Sequence, residues 1–154
     1  MISVRVSVDV DRSPAEVFSY LEDAENNPSW IPNMRSCRWT TPAPVRVGSR
    51  YEQTSAFLGR RVLTNFEVIE HEPGHRVTIE SREGSSFPIR VTRIVQPRGD
   101  GGSHVIEEVE GDPSGFYAIA TPLLRAMVTR NIRRDYRNLK RVLERSERRG
   151  RKRG

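Results

Sequence analysis

The sequence predicts an α+β domain in which a seven-stranded antiparallel sheet curls around one long C-terminal helix, with two short helices after the first strand. Three observations carry that expectation. Residues 2 to 10 alternate apolar and polar over a full strand length. The stretch from Arg35 to Gly111 divides at turn-forming residues into six further strands. After Asp112-Pro113, apolar residues recur at helical spacing.

At 154 residues, with no break in composition before the last few, the chain fits one domain over 1–146 and a basic, frayed tail over 147–154. The longest apolar run, Phe116 to Ala120, is far too short to cross a bilayer, and the opening alternation is not a leader's apolar core. The expected location is therefore cytoplasmic. Cys37 is the only cysteine, which rules out an internal disulfide and a thiolate cluster for zinc or iron-sulfur and leaves it as buried filler.

The net charge of +6 sits at one end. From Arg130 onward twelve Lys or Arg face three acids, a net of +9, so residues 1–129 carry −3. A body that is not basic argues against sequence-specific nucleic-acid binding on the fold itself. The tail from Arg145 to Arg153 reads as a solvated helix end able to touch anionic surfaces weakly.

In the first strand Ile2, Val4, Val6, Val8 and Val10 share one face. Ser13-Pro14-Ala15-Glu16 supplies a cap, a proline for the first helical position and a capping-box glutamate, so a short helix follows and buries Val17, Phe18 and Leu21. Asn27-Pro28 repeats the signal before Trp30 and Ile31, and Pro32 ends a second, very short helix.

The turns between the later strands allow residue pairing to be counted. A Gly59-Arg60 turn sets Phe57 against Val62 and Gln53 against Phe66; the loop at His71 to Gly74 sets Phe66 against Ile79. The loop at Glu83 to Ser85 sets Ile79 against Ile89, and the turn around Arg98 to Gly102 sets Arg93 against Glu107. These four turns place one mostly apolar set on a single face, which a slip of one residue at any turn would scatter. Leu63, Ile69, Ile94 and Ile106 break the polar pattern of the other face and are expected to be covered by neighbouring segments. The last helix is expected from Asp112-Pro113, with Phe116, Ile119, Leu123, Met127, Asn131, Tyr136, Leu139, Val142 and Leu143 on one side and a kink or restart at Thr121-Pro122.

One helix is about 10 Å across, whereas seven strands about 4.8 Å apart make a sheet roughly three times wider. The sheet must coil around the helix to hide its apolar face, and curved walls around one rod leave space. The inward set mixes Tyr51, Phe57, Phe66 and Phe87 with Gln53, Ser55, Thr64, Ser81, Arg93 and Glu107. An unpartnered buried hydroxyl or amide costs about 1–3 kcal/mol, so an amphipathic pocket is expected. Its candidate ligand-binding residues are Trp30, Tyr51, Gln53, Phe57, Phe66, Ile79, Phe87 and Ile89, the pair Arg93 and Glu107, and Tyr117, Met127 and Asn131 from the helix.

Arg93 and Glu107 are the sharpest feature, because the count makes them direct cross-strand neighbours on the inward face. They read either as a polar anchor for a carbonyl, carboxylate or enolate, with Glu107 as an acid/base, or as a structural ion pair, the commoner role of paired inward charges. Trp30 and Tyr51 are placed at the pocket mouth or in plain core packing, and Asn131 is an amide in an apolar stripe that needs a partner. His71 and His75 flank one turn and His104 points outward, so no metal site is expected, and no nucleotide or cofactor fingerprint is present.

The segments Ser13-Pro14-Ala15-Glu16-Val17-Phe18, Glu25 to Pro32, Val47-Gly48-Ser49-Arg50-Tyr51, Gly101 to Val105 and Asn138 to Glu144 together resemble the START-like (SRPBCC) superfamily, in its polyketide cyclase/dehydrase and lipid-transport branch. The resemblance runs from Ile2 to about Ser146 and implies a helix-grip fold with an internal cavity; it brings no catalytic residue to a position here. Three function classes follow. One is a carrier or sensor of a lipid-, polyketide- or isoprenoid-like molecule. Another is an aromatase or cyclase in which Arg93, Glu107 or Tyr51 handles protons. The third is a protein that docks on anionic membrane or RNA through its basic C-terminal helix.

Overall fold

Alternation over nine residues makes Ile2–Val10 a strand, β1, with its inward side chains packed in the core and its serines exposed. In this computed structural model the backbone is described for residues 1–152 and side chains for residues 1–145. Helix α1, Pro14–Glu22, begins as expected: the Ser13 hydroxyl accepts from the Glu16 amide at 3.3 Å, and Val17, Phe18 and Leu21 are buried. The Glu16 carboxylate does not close the capping box; it accepts from Arg12 at 2.7 Å. The second short helix is a 3₁₀ helix, Ala24–Ser29, which starts earlier than expected because Asp23, not Asn27, caps it. Asn27 is instead buried inside the protein.

Six strands follow: β2 (Met34–Trp39), β3 (Arg50–Phe57), β4 (Arg60–Glu72), β5 (Arg76–Ser81), β6 (Ile89–Pro97) and β7 (Ser103–Gly111). With β1 they form one antiparallel sheet in the order β1-β7-β6-β5-β4-β3-β2, a meander closed by β1 beside β7. The inward faces of the strands, α1 and the C-terminal helix share one hydrophobic core.

The expected register holds between β6 and β7, where Arg93 pairs with Glu107, and is two residues off at the other three hairpins. Phe57 pairs with Arg60, so the tight turn is Leu58-Gly59, both at positive φ (52° and 75°), and Gln53 faces Thr64 instead of Phe66. A bulge at Ile69 separates Val68↔Ile79 from Glu70↔Thr78, so Phe66 meets Ser81. Ile79 then faces Val91, not Ile89. A two-residue slip changes partners and preserves faces, which is why the inward set survives. Beyond the bulge His71 turns inward, stacks near Phe18 and bonds Glu22 at 2.8 Å, so it is not the surface residue expected. Of the four outward exceptions, Ile94 and Ile106 are buried whereas Leu63 is exposed.

The final helix, α2, spans Thr121–Lys152. It does not begin at Asp112-Pro113; that segment makes one turn, with the Phe116 and Tyr117 amides bonded to the Pro113 carbonyl, and Pro122 occupies the first helical turn instead of kinking a longer helix. The helical phase therefore restarts, and the buried stripe is Leu124, Tyr136, Leu139 and Leu143 with Val128 and Ile132 partly buried, while Leu123 is exposed. The tail expected over 147–154 lies outside the residues whose side chains are described.

Candidate functional site

The curled sheet and α2 enclose a cavity of about 220 Å³. Period-two positions build its walls: Tyr51, Gln53, Ser55 and Phe57 from β3, Val62, Thr64 and Phe66 from β4, Ile89, Val91 and Arg93 from β6, and Glu107 and Val109 from β7. Ile79 completes the sheet side, Phe87 enters from the loop before β6, and Trp30 closes the end nearest the 3₁₀ helix. From α2 come Leu124, Val128, Asn131, Ile132 and Asp135, one side of a helix at three- and four-residue spacing.

Twelve of the thirteen candidate residues line this space. Met127 does not, because its place in the stripe assumed a helix continuous from Pro113; with the start at Thr121, Val128 takes the wall position. Tyr117 does line the cavity, but from the linker before α2 and not from the helix. Trp30 and Tyr51 are only 2% and 3% exposed, so they belong to the wall and not to a mouth.

The cavity has two chemically distinct ends. Four residues separate Glu107 from Gly111 on β7, about 14 Å of strand. Eleven separate Leu124 from Asp135 on α2, about 16 Å of helix. Both rulers run from an aromatic end to a charged one. At the aromatic end Tyr117 packs against Phe57 (5.5 Å between centroids, edge-on) and Phe87 (6.5 Å), and its hydroxyl donates to the Phe57 carbonyl at 2.7 Å. Arg60 lies over the Phe116 ring at 3.7 Å and also donates to the Phe116 carbonyl, tying the linker to the β3–β4 hairpin.

At the other end Arg93 Nε donates to Glu107 Oε1 at 3.0 Å, Arg93 Nη1 donates to Asn27 Oδ1 at 3.2 Å, and the Tyr136 hydroxyl donates to Glu107 Oε1 at 2.9 Å. The Arg93 guanidinium also faces the Trp30 ring at 5.1 Å, and Trp30 packs edge-on against Tyr136. Burial and the Glu107 carboxylate push the Tyr136 phenol well above its ordinary range, so it remains a donor. Asp135 is buried beside this cluster; desolvation raises its carboxyl to about 6 although Arg134 at 3.2 Å opposes the shift.

Several polar groups in the wall have no partner among the described residues. The Tyr51 hydroxyl, the Asn131 side chain and the Gln53 amide nitrogen make no hydrogen bond, and the Trp30 indole nitrogen is fully buried without an acceptor. Cys37 contacts the Gln53 carbonyl oxygen at 3.7 Å; it is half-buried, and desolvation pushes its thiol up to about 11, which makes it a poor nucleophile. Asn27, Asp135 and Tyr136 are functional-site residues that the candidate set lacks. Asn27 read as a cap, and Asp135 becomes visible as a wall position only when the helical phase is counted from Leu124.

The geometry agrees with what known proteins show. A family model described as polyketide cyclase / dehydrase and lipid transport matches residues 1–144. A search of curated protein sequences gives no match. Among solved structures, a START superfamily protein from Mycobacterium smegmatis superposes with a TM-score of 0.76 at 16% identity, covering 93% of this chain and 97% of that one. The ginseng major latex-like protein 151 from Panax ginseng gives 0.68 at 14%, covering 90% and 94%. The di-domain ARO/CYC BexL of the BE-7585A biosynthetic pathway gives 0.70 at 18%; the match covers 94% of this chain but 47% of that longer one. At such identities the likeness establishes a shared fold, the helix-grip architecture. No helix among the described residues is long and apolar enough to cross a membrane. With the family model matched over nearly its whole length, the chain belongs to the polyketide cyclase/dehydrase and lipid-transport family of START-like proteins.

Proposed function

We propose that the chain binds one small amphipathic molecule, lipid-, polyketide- or isoprenoid-like, inside the cavity and acts as its carrier or sensor. The observation that carries this reading is the pair of wall groups left without partners, the Tyr51 hydroxyl and the Asn131 amide, in a cavity whose wall is mostly apolar. A ligand carbonyl, hydroxyl or carboxylate gives these groups the hydrogen bonds that the protein does not. The apolar part of the ligand lies toward Phe57, Phe87 and Tyr117. A volume of about 220 Å³ is below the ~300–1,000 Å³ of sites for drug-sized molecules, so the ligand is small. Family membership and the fold shared with BexL support the same class of ligand. Native mass spectrometry of purified protein, followed by solvent extraction, tests the proposal: a stoichiometric small molecule carrying one polar group supports it, and protein that stays ligand-free when offered medium-chain fatty acids, isoprenoid alcohols and aromatic polyketides contradicts it.

A second reading, an aromatase or cyclase, is favoured by one specific feature. Asp135 is a wall carboxyl raised to about 6, close to the range useful for proton transfer, while Arg93 supplies a fixed positive charge for an enolate. Glu107 is less suited to that role than Asp135, because one of its oxygens already accepts from both Arg93 and Tyr136. On this reading Asp135→Asn abolishes turnover of a model poly-β-ketone and leaves its binding intact; full turnover by the variant removes the reading.

A further inference from the structure

The two outward surfaces of the molecule treat their arginines differently. On the sheet most are matched across strands, Arg38 with Glu52 at 3.2 Å, Arg50 with Glu67 at 3.0 Å and Arg90 with Glu80 at 2.7 Å among them, with Arg35 and Arg61 as exceptions. On α2 they are not. At 100° per residue Leu123, Ala126, Arg130, Arg133, Arg137 and Arg141 fall within an arc of about 80°, opposite the stripe from Leu124 to Leu143 that packs on the core. All six are exposed, and among the described residues none of the four arginines has an ion pair or hydrogen bond. Over 121–145 the helix holds only two acids: Asp135, which is buried against Arg134, and Glu144, which pairs with Lys140 at 2.7 Å.

A row of like charges at three- and four-residue spacing weakens a helix, so it is not there to stabilise the fold. We propose that this face of α2 docks on a bilayer surface bearing anionic phospholipid headgroups. The guanidinium groups match phosphate in charge and geometry along about 17 Å of helix, from Arg130 to Arg141. Leu123, 58% exposed at the start of the same face, distinguishes a lipid surface from a nucleic acid: a leucine among headgroups buries its side chain, whereas a phosphate backbone gives it no partner. The arc also contains no aromatic ring on which a base would stack. The inference is independent of what occupies the cavity.

The test is co-sedimentation of the full chain with vesicles of phosphatidylcholine alone or mixed with phosphatidylglycerol. Binding is expected only to the mixed vesicles, and it is lost as salt rises from about 0.1 M to 1 M and the screening length shrinks from about 10 to 3 Å. Substituting Arg133→Gln, Arg137→Gln and Arg141→Gln together weakens it by roughly a hundredfold, about fivefold per arginine. A control triple on the sheet, Arg38→Gln, Arg50→Gln and Arg90→Gln, removes the same net charge and leaves binding within about twofold. All six positions are exposed, and glutamine is a good helix former at the three on α2, so circular dichroism of both variants should match the parent. Equal losses in the two triples would overturn the proposal, as would failure to bind mixed vesicles. Loss caused by Arg148→Gln, Arg149→Gln and Arg151→Gln but not by the α2 triple would overturn it, and so would tight RNA binding through the α2 face without vesicle binding.

Discussion

The two ends of the cavity solve the problem of a buried interior in opposite ways. At the aromatic end Phe57, Phe87 and Tyr117 fill space with rings, and the one hydroxyl present is satisfied by the Phe57 carbonyl. At the charged end Arg93, Glu107, Asn27 and Tyr136 satisfy one another through three hydrogen bonds, while Tyr51 and Asn131 in the same wall are left open. The difference teaches that ion pair and ligand anchor are not exclusive roles for Arg93. Its pairing holds the wall rigid, and the neighbouring unmatched groups offer the polar contacts.

If the charged end is a mutually dependent unit, breaking it from one side has the largest effect. Glu107→Ala strands the buried Arg93 and Tyr136 and should lower the unfolding free energy by about 3–5 kcal/mol in urea titration. Replacing both charges, Arg93→Met with Glu107→Met, should recover most of that loss, since no unpaired charge remains. A double variant as unstable as the single one would show that the charges are not coupled. The aromatic end should behave the other way: Phe87→Ala lowers ligand affinity about tenfold, near 1.4 kcal/mol, in calorimetric titration, with a smaller change in stability than Glu107→Ala because Phe87 is only partly buried.

Asp135 sharpens the contrast through pH. Its carboxyl has an ordinary value of 3.8 and is raised to about 6 in the folded protein by burial, so the folded state holds the proton more tightly. That contribution to stability is fully present below pH 3.8 and disappears as pH rises through about 6. Stability measured across this window should fall with a component that is missing in Asp135→Asn; identical slopes in the two proteins would refute it. The smallest effect expected is from Tyr51→Phe. Removing a hydroxyl that has no partner should leave the empty protein unchanged or up to about 1 kcal/mol more stable, while weakening ligand binding measurably. A large loss of stability would mean that the hydroxyl is already satisfied.

Most of this arrangement was legible in the sequence because strand faces depend only on parity. Tyr51, Gln53 and Phe57, or Ile89 and Arg93, reach the same space even though three hairpins pair two residues away from the expected register. What hid the register was local: Leu58 takes a positive φ that glycine usually occupies, and a bulge at Ile69 inserts a residue that no composition signal marks. The helix was less legible. Pro113 and Pro122 both look like helix starts, and choosing the first shifted the phase, bringing Met127 into the wall and leaving out Val128, Ile132 and Asp135. Asn27 was hidden because Asn-Pro reads as a cap, whereas Asp23 performs the capping and frees Asn27 to hold Arg93.

The central claim, that an amphipathic ligand occupies the space between these ends, is tested most directly at Trp30. The chain has two tryptophans, so a Trp39→Phe background leaves Trp30 as the only indole, set in the cavity wall. Titration with a medium-chain fatty acid brominated along its chain should quench its emission saturably, at one equivalent, and unlabelled acid of the same length should restore it. Emission that stays constant throughout the titration would contradict the account.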